Sequence, residues 1–297
     1  MVGLTRREFG FAAAAVGLFG IEAVAQPVTP SVQLPDGSRV PALGQGSWTL
    51  AEGRHPASEE EEALRTGISL GLTLIDTAEI YGNGRAERMI GRVIAGQRDK
   101  VFLVSKVLPS HATAEGIRQA CTASLARLGT DHLDLYLLHW RRGVSDLGVV
   151  VRTFDSLRAE GHIRRWGVSN FEVADMEDLY RVRGGDACAT NQVRYNLADR
   201  RIERDLLPWC DKHRLPIMAY SPLARGGDLL RNAALIRVAG RHQSSPAAIA
   251  LAWTIRSGHV IAIPESGSPA HVRQNASALS LRLTDPDLDE LERAFPA

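Results

Sequence analysis

Eight short apolar runs, each followed by an amphipathic stretch, constrain this chain more than any other feature. They cover residues 42–46, 72–76, 101–105, 133–138, 164–168, 189–192, 217–220 and 260–263. Between them the apolar spacing predicts helices over 59–69, 86–95, 114–128, 148–160, 173–180, 202–213 and 246–255, with 271–279 and 287–295 closing the chain. Strands alternating with helices imply a parallel sheet with helices outside it. Eight repeats within 297 residues favour closure into a (β/α)8 barrel over an open doubly wound sheet. No G-x-G-x-x-G follows the first run, so a Rossmann domain lacks its signature. Residues 32–40, centred on Pro35-Asp36-Gly37, read as a β-hairpin able to plug the N-terminal end of the barrel.

Residues 1–25 read as targeting and not as fold. Arg6-Arg7 precedes an apolar run from Phe9 to Ile21, and Ala23-Val24-Ala25 offers a small-x-small cleavage site. This order resembles a twin-arginine export signal, and the run is shorter than the roughly 20 residues needed to span a bilayer. The expectation is a periplasmic protein handled by the twin-arginine machinery, with a cytoplasmic one as the alternative. Residues 26–297 are then one barrel domain. A net charge of +1 gives no reason to expect nucleic acid as a partner. Cys121, Cys188 and Cys210 show no metal-ligand spacing and read as buried small hydrophobes.

In such a barrel the chemistry sits at the C-terminal ends of the strands. Here those ends carry Asp76, Lys106, His139, Ser169-Asn170, Gln192, Tyr220-Ser221 and Ser266, hydrogen-bonding or ionisable groups that converge on one mouth. Taken singly, Asp76 and Lys106 have a plain reading as an ion pair, and Tyr81 as a turn residue beside Gly82-Asn83-Gly84. The segments around them point further. Asp76-Thr77-Ala78-Glu79-Ile80-Tyr81-Gly82, Leu133-Asp134-Leu135-Tyr136-Leu137-Leu138-His139-Trp140 and the run from Gly161 through Phe171 resemble aldo-keto reductases. So do Asn191-Gln192, Ala219-Tyr220-Ser221-Pro222-Leu223 and Ile263-Pro264, all in the family's order. From Arg164 to Leu223 the chain is most similar to members that act on methylglyoxal and similar small aldehydes.

The resemblance implies NAD(P)H-dependent reduction of a small carbonyl substrate. Tyr81 takes the place of the general acid, Lys106 of the cation that lowers its pKa, and Asp76 of that lysine's partner. His139 takes the place of the residue that orients the carbonyl. Ser169, Asn170 and Gln192 match the nicotinamide carboxamide contacts, and Tyr220 the ring that stacks on it. Ser221 and Leu223 match the diphosphate loop, and Ser266 and Asn275 the far end of the cofactor. Trp48 and Trp140 are expected to line the substrate pocket. No metal site is expected, and the protein is expected to be a monomer. One departure matters. The family carries a lysine and an arginine against the 2′-phosphate of NADP(H), where this chain has Glu265 and His271. A carboxylate there predicts weaker discrimination for NADPH and leaves NAD(H) open. A second reading is a cofactor-sensing module with the same barrel and slow turnover, as in certain channel accessory subunits.

Overall fold

A computed structural model describes residues 30–297; the segment read as an export signal, residues 1–25, lies outside them. β1 (Ser31–Gln33) and β2 (Arg39–Pro41) form the expected antiparallel hairpin. Eight parallel strands follow: β3 (Gln45–Gly46), β4 (Leu74–Asp76), β5 (Phe102–Val107), β6 (Leu135–Leu138), β7 (Trp166–Ser169), β8 (Asn191–Arg194), β9 (Ile217–Tyr220) and β10 (Val260–Ile263). They lie side by side in chain order. The seam between the last and the first is closed by parallel bridges from Leu43 to Ala262 and from Gly46 to Glu265. Main-chain bonds there run from Gly44 to Ala262, Ala262 to Ala42 and Gly46 to Pro264. The fold is the expected (β/α)8 barrel.

Period-two alternation sorts the strand residues onto two faces. Leu74, Val104, Leu135, Leu137 and Met218 point into the barrel, where Val32, Leu34 and Val40 of the hairpin join them. Ile75, Leu103, Tyr136, Leu138 and Val168 point outward and pack beneath the helices. The hairpin therefore plugs one end of the interior, and Asp36 at its turn pairs with Arg165, one residue before β7, at 2.6 Å.

The helices are α1 (Ala57–Ser69), α2 (Arg85–Ile94), α3 (Ala114–Leu128), α4 (Leu147–Ala159), α5 (Val173–Arg181), α6 (Leu206–Lys212), α7 (Asp228–Arg231), α8 (Ala233–Arg241), α9 (Pro246–Thr254), α10 (Pro269–Ala276) and α11 (Asp285–Ala294). Several boundaries differ from the sequence reading. The second strand begins at Leu74 because the Leu72 amide donates to Gly67 at the end of α1. The helix read over 202–213 splits into a 3-10 turn at Arg201–Glu203 and α6, because Asp205 leaves helical geometry to cap Leu206. Pro208 then sits in the first turn of α6, where a proline costs no hydrogen bond. The pair α7 and α8 was not expected at all; Asn232 caps α8 by accepting from Ala234 and Leu235. Among the described residues, no helix is long and apolar enough to cross a membrane.

Candidate active site

Strand alternation builds the site. Leu74 and Val104 face inward, so Asp76 and Lys106, two residues further on, face inward as well. Leu135 and Leu137 extend the same register to His139 just beyond β6. Tyr81 arrives from a turn in which Gly82, Asn83 and Gly84 are all left-handed, a conformation that favours glycine and asparagine. That turn leads into α2, whose fully buried Glu87 accepts from Ser105 at 2.7 Å and pairs with Arg127 at 2.5 Å. The tyrosine turn is thereby tied to the strand carrying Lys106.

Lys106 has no exposure and is the hub. Its Nζ donates to Asp76 Oδ2 at 2.7 Å, to the Thr77 carbonyl at 2.8 Å and towards the Tyr81 hydroxyl at 3.3 Å. From Asp76 a chain of hydrogen bonds runs on around the mouth. Gln192 Nε2 donates to Asp76 Oδ1 at 2.7 Å, and the Gln192 carbonyl accepts from Ser169 Oγ at 2.9 Å. Asn170 Nδ2 reaches Ser169 Oγ at 3.0 Å and the His139 carbonyl at 3.1 Å, while its Oδ1 accepts from Tyr220 at 2.9 Å. The expected residues Asp76, Tyr81, Lys106, Ser169, Asn170, Gln192 and Tyr220 thus form one connected network. His139 adjoins it, with its ring 5.8 Å from that of Tyr81 and stacked on Trp140 at 3.7 Å.

Burial sets the protonation states. The Lys106 ammonium is disfavoured by burial, but Asp76 and Tyr81 outweigh this and hold its pKa above the ordinary value. His139 is pushed down to about 2, by burial and then by the Lys106 charge, so it is neutral. Its Nδ1 is buried without a hydrogen-bond partner. The expected lowering of the Tyr81 pKa is not found. Burial raises it, and the charges of Asp76 and Glu265 counter that of Lys106.

Other expected residues fare differently. The Gln192 amide nitrogen donates to Asp76 and to Met218 Sδ at 2.9 Å, just as both hydrogens of the Asn170 amide are engaged within the network. Ser266 Oγ closes on the backbone of Ser268, and Asn275 is buried in α10; neither enters the network. Ser221, left-handed at φ 47°, and the partly buried Leu223 lie in the loop after β9. Trp48 and Trp140 are 45% and 39% exposed, which leaves both rings open at the mouth. The Glu265 carboxylate accepts from the Thr49 amide at 2.9 Å and from Thr49 Oγ1. His271 is exposed in α10, as is Arg273. Thr49, Glu87 and Arg225, whose guanidinium lies 4.4 Å from the Trp48 ring centre, were not singled out in the sequence. Among the described residues, no group of three or more His, Cys, Asp or Glu is placed to hold a metal.

Comparison with known proteins extends this picture. Residues 42–295 match the model of the aldo/keto reductase family. The chain is 49% identical over 270 residues to methylglyoxal reductase YeaE of Escherichia coli, covering 90% of this chain and 95% of that protein. It is 32% identical over 265 residues to glyoxal reductase of Bacillus subtilis, covering 88% and 91%. A crystal structure of an aldo/keto reductase from Klebsiella pneumoniae in complex with NADP and acetate superposes with a TM-score of 0.87 at 47% identity, covering 91% and 96%. Another Klebsiella pneumoniae structure, in complex with NADPH, has the same TM-score at 48% identity and the same coverage.

Proposed function

Because this chain belongs to the aldo/keto reductase family and is an NAD(P)-dependent oxidoreductase, we propose that it reduces a small aldehyde such as methylglyoxal, or a ketone, with NADPH and with Tyr81 as general acid. The observation that carries this reading is the buried Asp76–Lys106–Tyr81 chain lying beside a neutral, unpartnered His139 at the barrel mouth. When bound, the cofactor supplies a hydride to the carbonyl carbon. The carbonyl oxygen then gains negative charge and needs a proton. Tyr81, whose pKa lies above its ordinary value, keeps its proton at neutral pH and can donate it. Lys106 stabilises the phenolate left behind, and Asp76 keeps Lys106 charged and in place. A neutral His139 offers the carbonyl oxygen a hydrogen bond without competing as the acid. Trp48 and Trp140 wall the pocket.

The residues fit a nicotinamide nucleotide. Ser169, Asn170 and Gln192 line the mouth beside the part-buried Tyr220 ring, their hydrogen bonds running to one another and to Asp76, with the loop of Ser221 and Leu223 next to them. NADP(H) is the proposed form because it is bound in the two Klebsiella pneumoniae relatives. The NAD(H) alternative rests on Glu265, which keeps its carboxylate charge while engaged by Thr49, and on His271. The proposed unit is a monomeric barrel over 26–297. The test is steady-state oxidation of NADPH and NADH with methylglyoxal and a panel of small carbonyls. Tyr81→Phe should lower kcat by roughly 10²–10⁴ and leave the Kd for NADPH unchanged. Wild-type turnover in that variant, with chemistry rate-limiting, would remove Tyr81 from the mechanism.

We also propose that residues 1–25 direct export through the twin-arginine route to the periplasm, on the order of arginine pair, apolar run and small-x-small site. A reporter fused to Met1–Gln26 should be exported, and Arg6→Lys with Arg7→Lys should block it. A reporter retained in the cytoplasm with the native arginines would defeat the proposal.

A further inference from the structure

Glu265 follows β10 in the inward register of Ile261 and Ile263 and grips a residue 216 positions away across the seam. Both of its oxygens are used, one on the Thr49 amide and one on the Thr49 hydroxyl. The loop it holds, residues 47–51, is pinned at three further points. Ser47 Oγ donates to the Asp76 carbonyl at 2.9 Å, the Ala51 amide donates to buried Glu60 at 2.8 Å, and Arg85 Nε donates to the Ala51 carbonyl at 3.0 Å. Leu50 is buried between them. Ala51 is left-handed at φ 60°, a conformation that a residue with a Cβ keeps only when its surroundings hold it. In the middle of this braced segment the Trp48 ring stands open at the mouth, with Arg225 stacked over it.

We propose that Glu265 is a positioning residue for the carbonyl substrate: by holding Thr49 through both carboxylate oxygens it fixes Trp48 as one wall of the substrate pocket. This rests on the reading of the mouth as a carbonyl-reducing site. A carboxylate whose two oxygens are both accepting bonds is held in place by geometry, and that is what the pocket wall requires. The alternative role, opposing a 2′-phosphate, needs the charge of Glu265 and not its hydrogen bonds. The two roles predict different variants.

Glu265→Gln removes the charge but can still accept from the Thr49 amide, and its NH2 can meet Thr49 Oγ1. Glu265→Ala removes charge and bonds together. For positioning, Glu265→Ala should raise the KM for the carbonyl about tenfold with kcat within about threefold, since displacement of a substrate-orienting wall by a fraction of an ångström acts on binding geometry. Glu265→Gln should restore KM to within about twofold of wild type. Thr49→Val, which keeps the amide bond and loses the hydroxyl, should fall between them and guards against loss of fold in Glu265→Ala. The Kd values for NADPH and NADH, from fluorescence titration without substrate, should keep their wild-type ratio in all three. Amide hydrogen exchange over residues 47–51 should quicken in Glu265→Ala and stay slow in Glu265→Gln. An unchanged KM in both Glu265→Ala and Thr49→Val overturns the proposal. So does a Gln variant that matches Ala while shifting the NADPH to NADH ratio, which would assign Glu265 to the cofactor by charge. If wild type reduces no carbonyl with either cofactor, the proposed function fails while the exchange result still reports on the Thr49 clasp.

Discussion

At the N-terminal end of the barrel, the hairpin presses Val32, Leu34 and Val40 into an apolar interior and leaves Asp36 and Arg165 at the rim. At the C-terminal end the same strands bury Asp76 and Lys106 completely and stack an exposed Trp140 on His139. One end is arranged as a core and the other inverts that arrangement. Burying an ion pair is a weak way to stabilise a fold, because desolvation consumes much of the attraction. The inversion therefore marks where stability is given up for chemistry, and substitutions at the two ends should have opposite signatures.

The largest effect is expected at the open end. Lys106→Met should lower turnover by about 10²–10⁴ through the uncompensated general acid, and should destabilise the fold by about 3–5 kcal/mol by leaving Asp76 buried alone. Adding Asp76→Asn should recover most of that stability and none of the activity. Urea unfolding beside steady-state kinetics separates the two; recovery of turnover in the double variant would break the comparison. At the closed end Leu34→Ala should cost about 2–5 kcal/mol by opening a cavity, with kcat/KM unchanged at temperatures where the variant is folded. A changed kcat/KM there would mean that the plug communicates with the mouth.

A smaller effect sharpens the electrostatic side. His139 titrates near 6.5 when unfolded, whereas burial and Lys106 push it to about 2 in the folded protein. The unfolded chain thus binds the extra proton. The contribution is fully present above pH 6.5 and is lost as pH falls towards the folded value, at about 1.4 kcal/mol per pH unit. Between pH 6.5 and 4.5 wild type should lose about 2–3 kcal/mol more stability than His139→Gln, measured by urea unfolding at both pH values. Equal losses would mean that His139 is not held neutral.

Much of the open end was legible from strand alternation alone. Leu74, Val104 and Leu137 fix an inward register that carries Asp76, Lys106 and His139 into one space, and period two is the most robust signal in a short strand. Tyr81 lies in a turn with no periodicity, and only its surrounding motif singled it out. The partner of Glu265 could not be read, since nothing local relates it to Thr49. Its inward orientation was within reach, because Ile261 and Ile263 already set the register. The net position of the Tyr81 pKa is not legible in the sequence: burial raises it, and the charges of Asp76 and Glu265 add to that rise against the lowering by Lys106. The signal for α8 is present in the sequence, since Asn232 is a sound N-cap and Ala234, Leu235, Val238 and Ala239 form one apolar face.

The seam has a consequence for how the molecule comes into being. β3 is two residues long, and the bridges that close it onto β10 join the two ends of the barrel sequence. Closing so long a loop carries the greatest entropy cost of any contact in the barrel, so it is disfavoured until the intervening strands are already paired. The Asp76–Lys106–Tyr81 chain spans about thirty residues and needs no such closure. A growing or refolding chain can therefore assemble its proton-handling groups early, while the tryptophan wall waits for the final strand to dock.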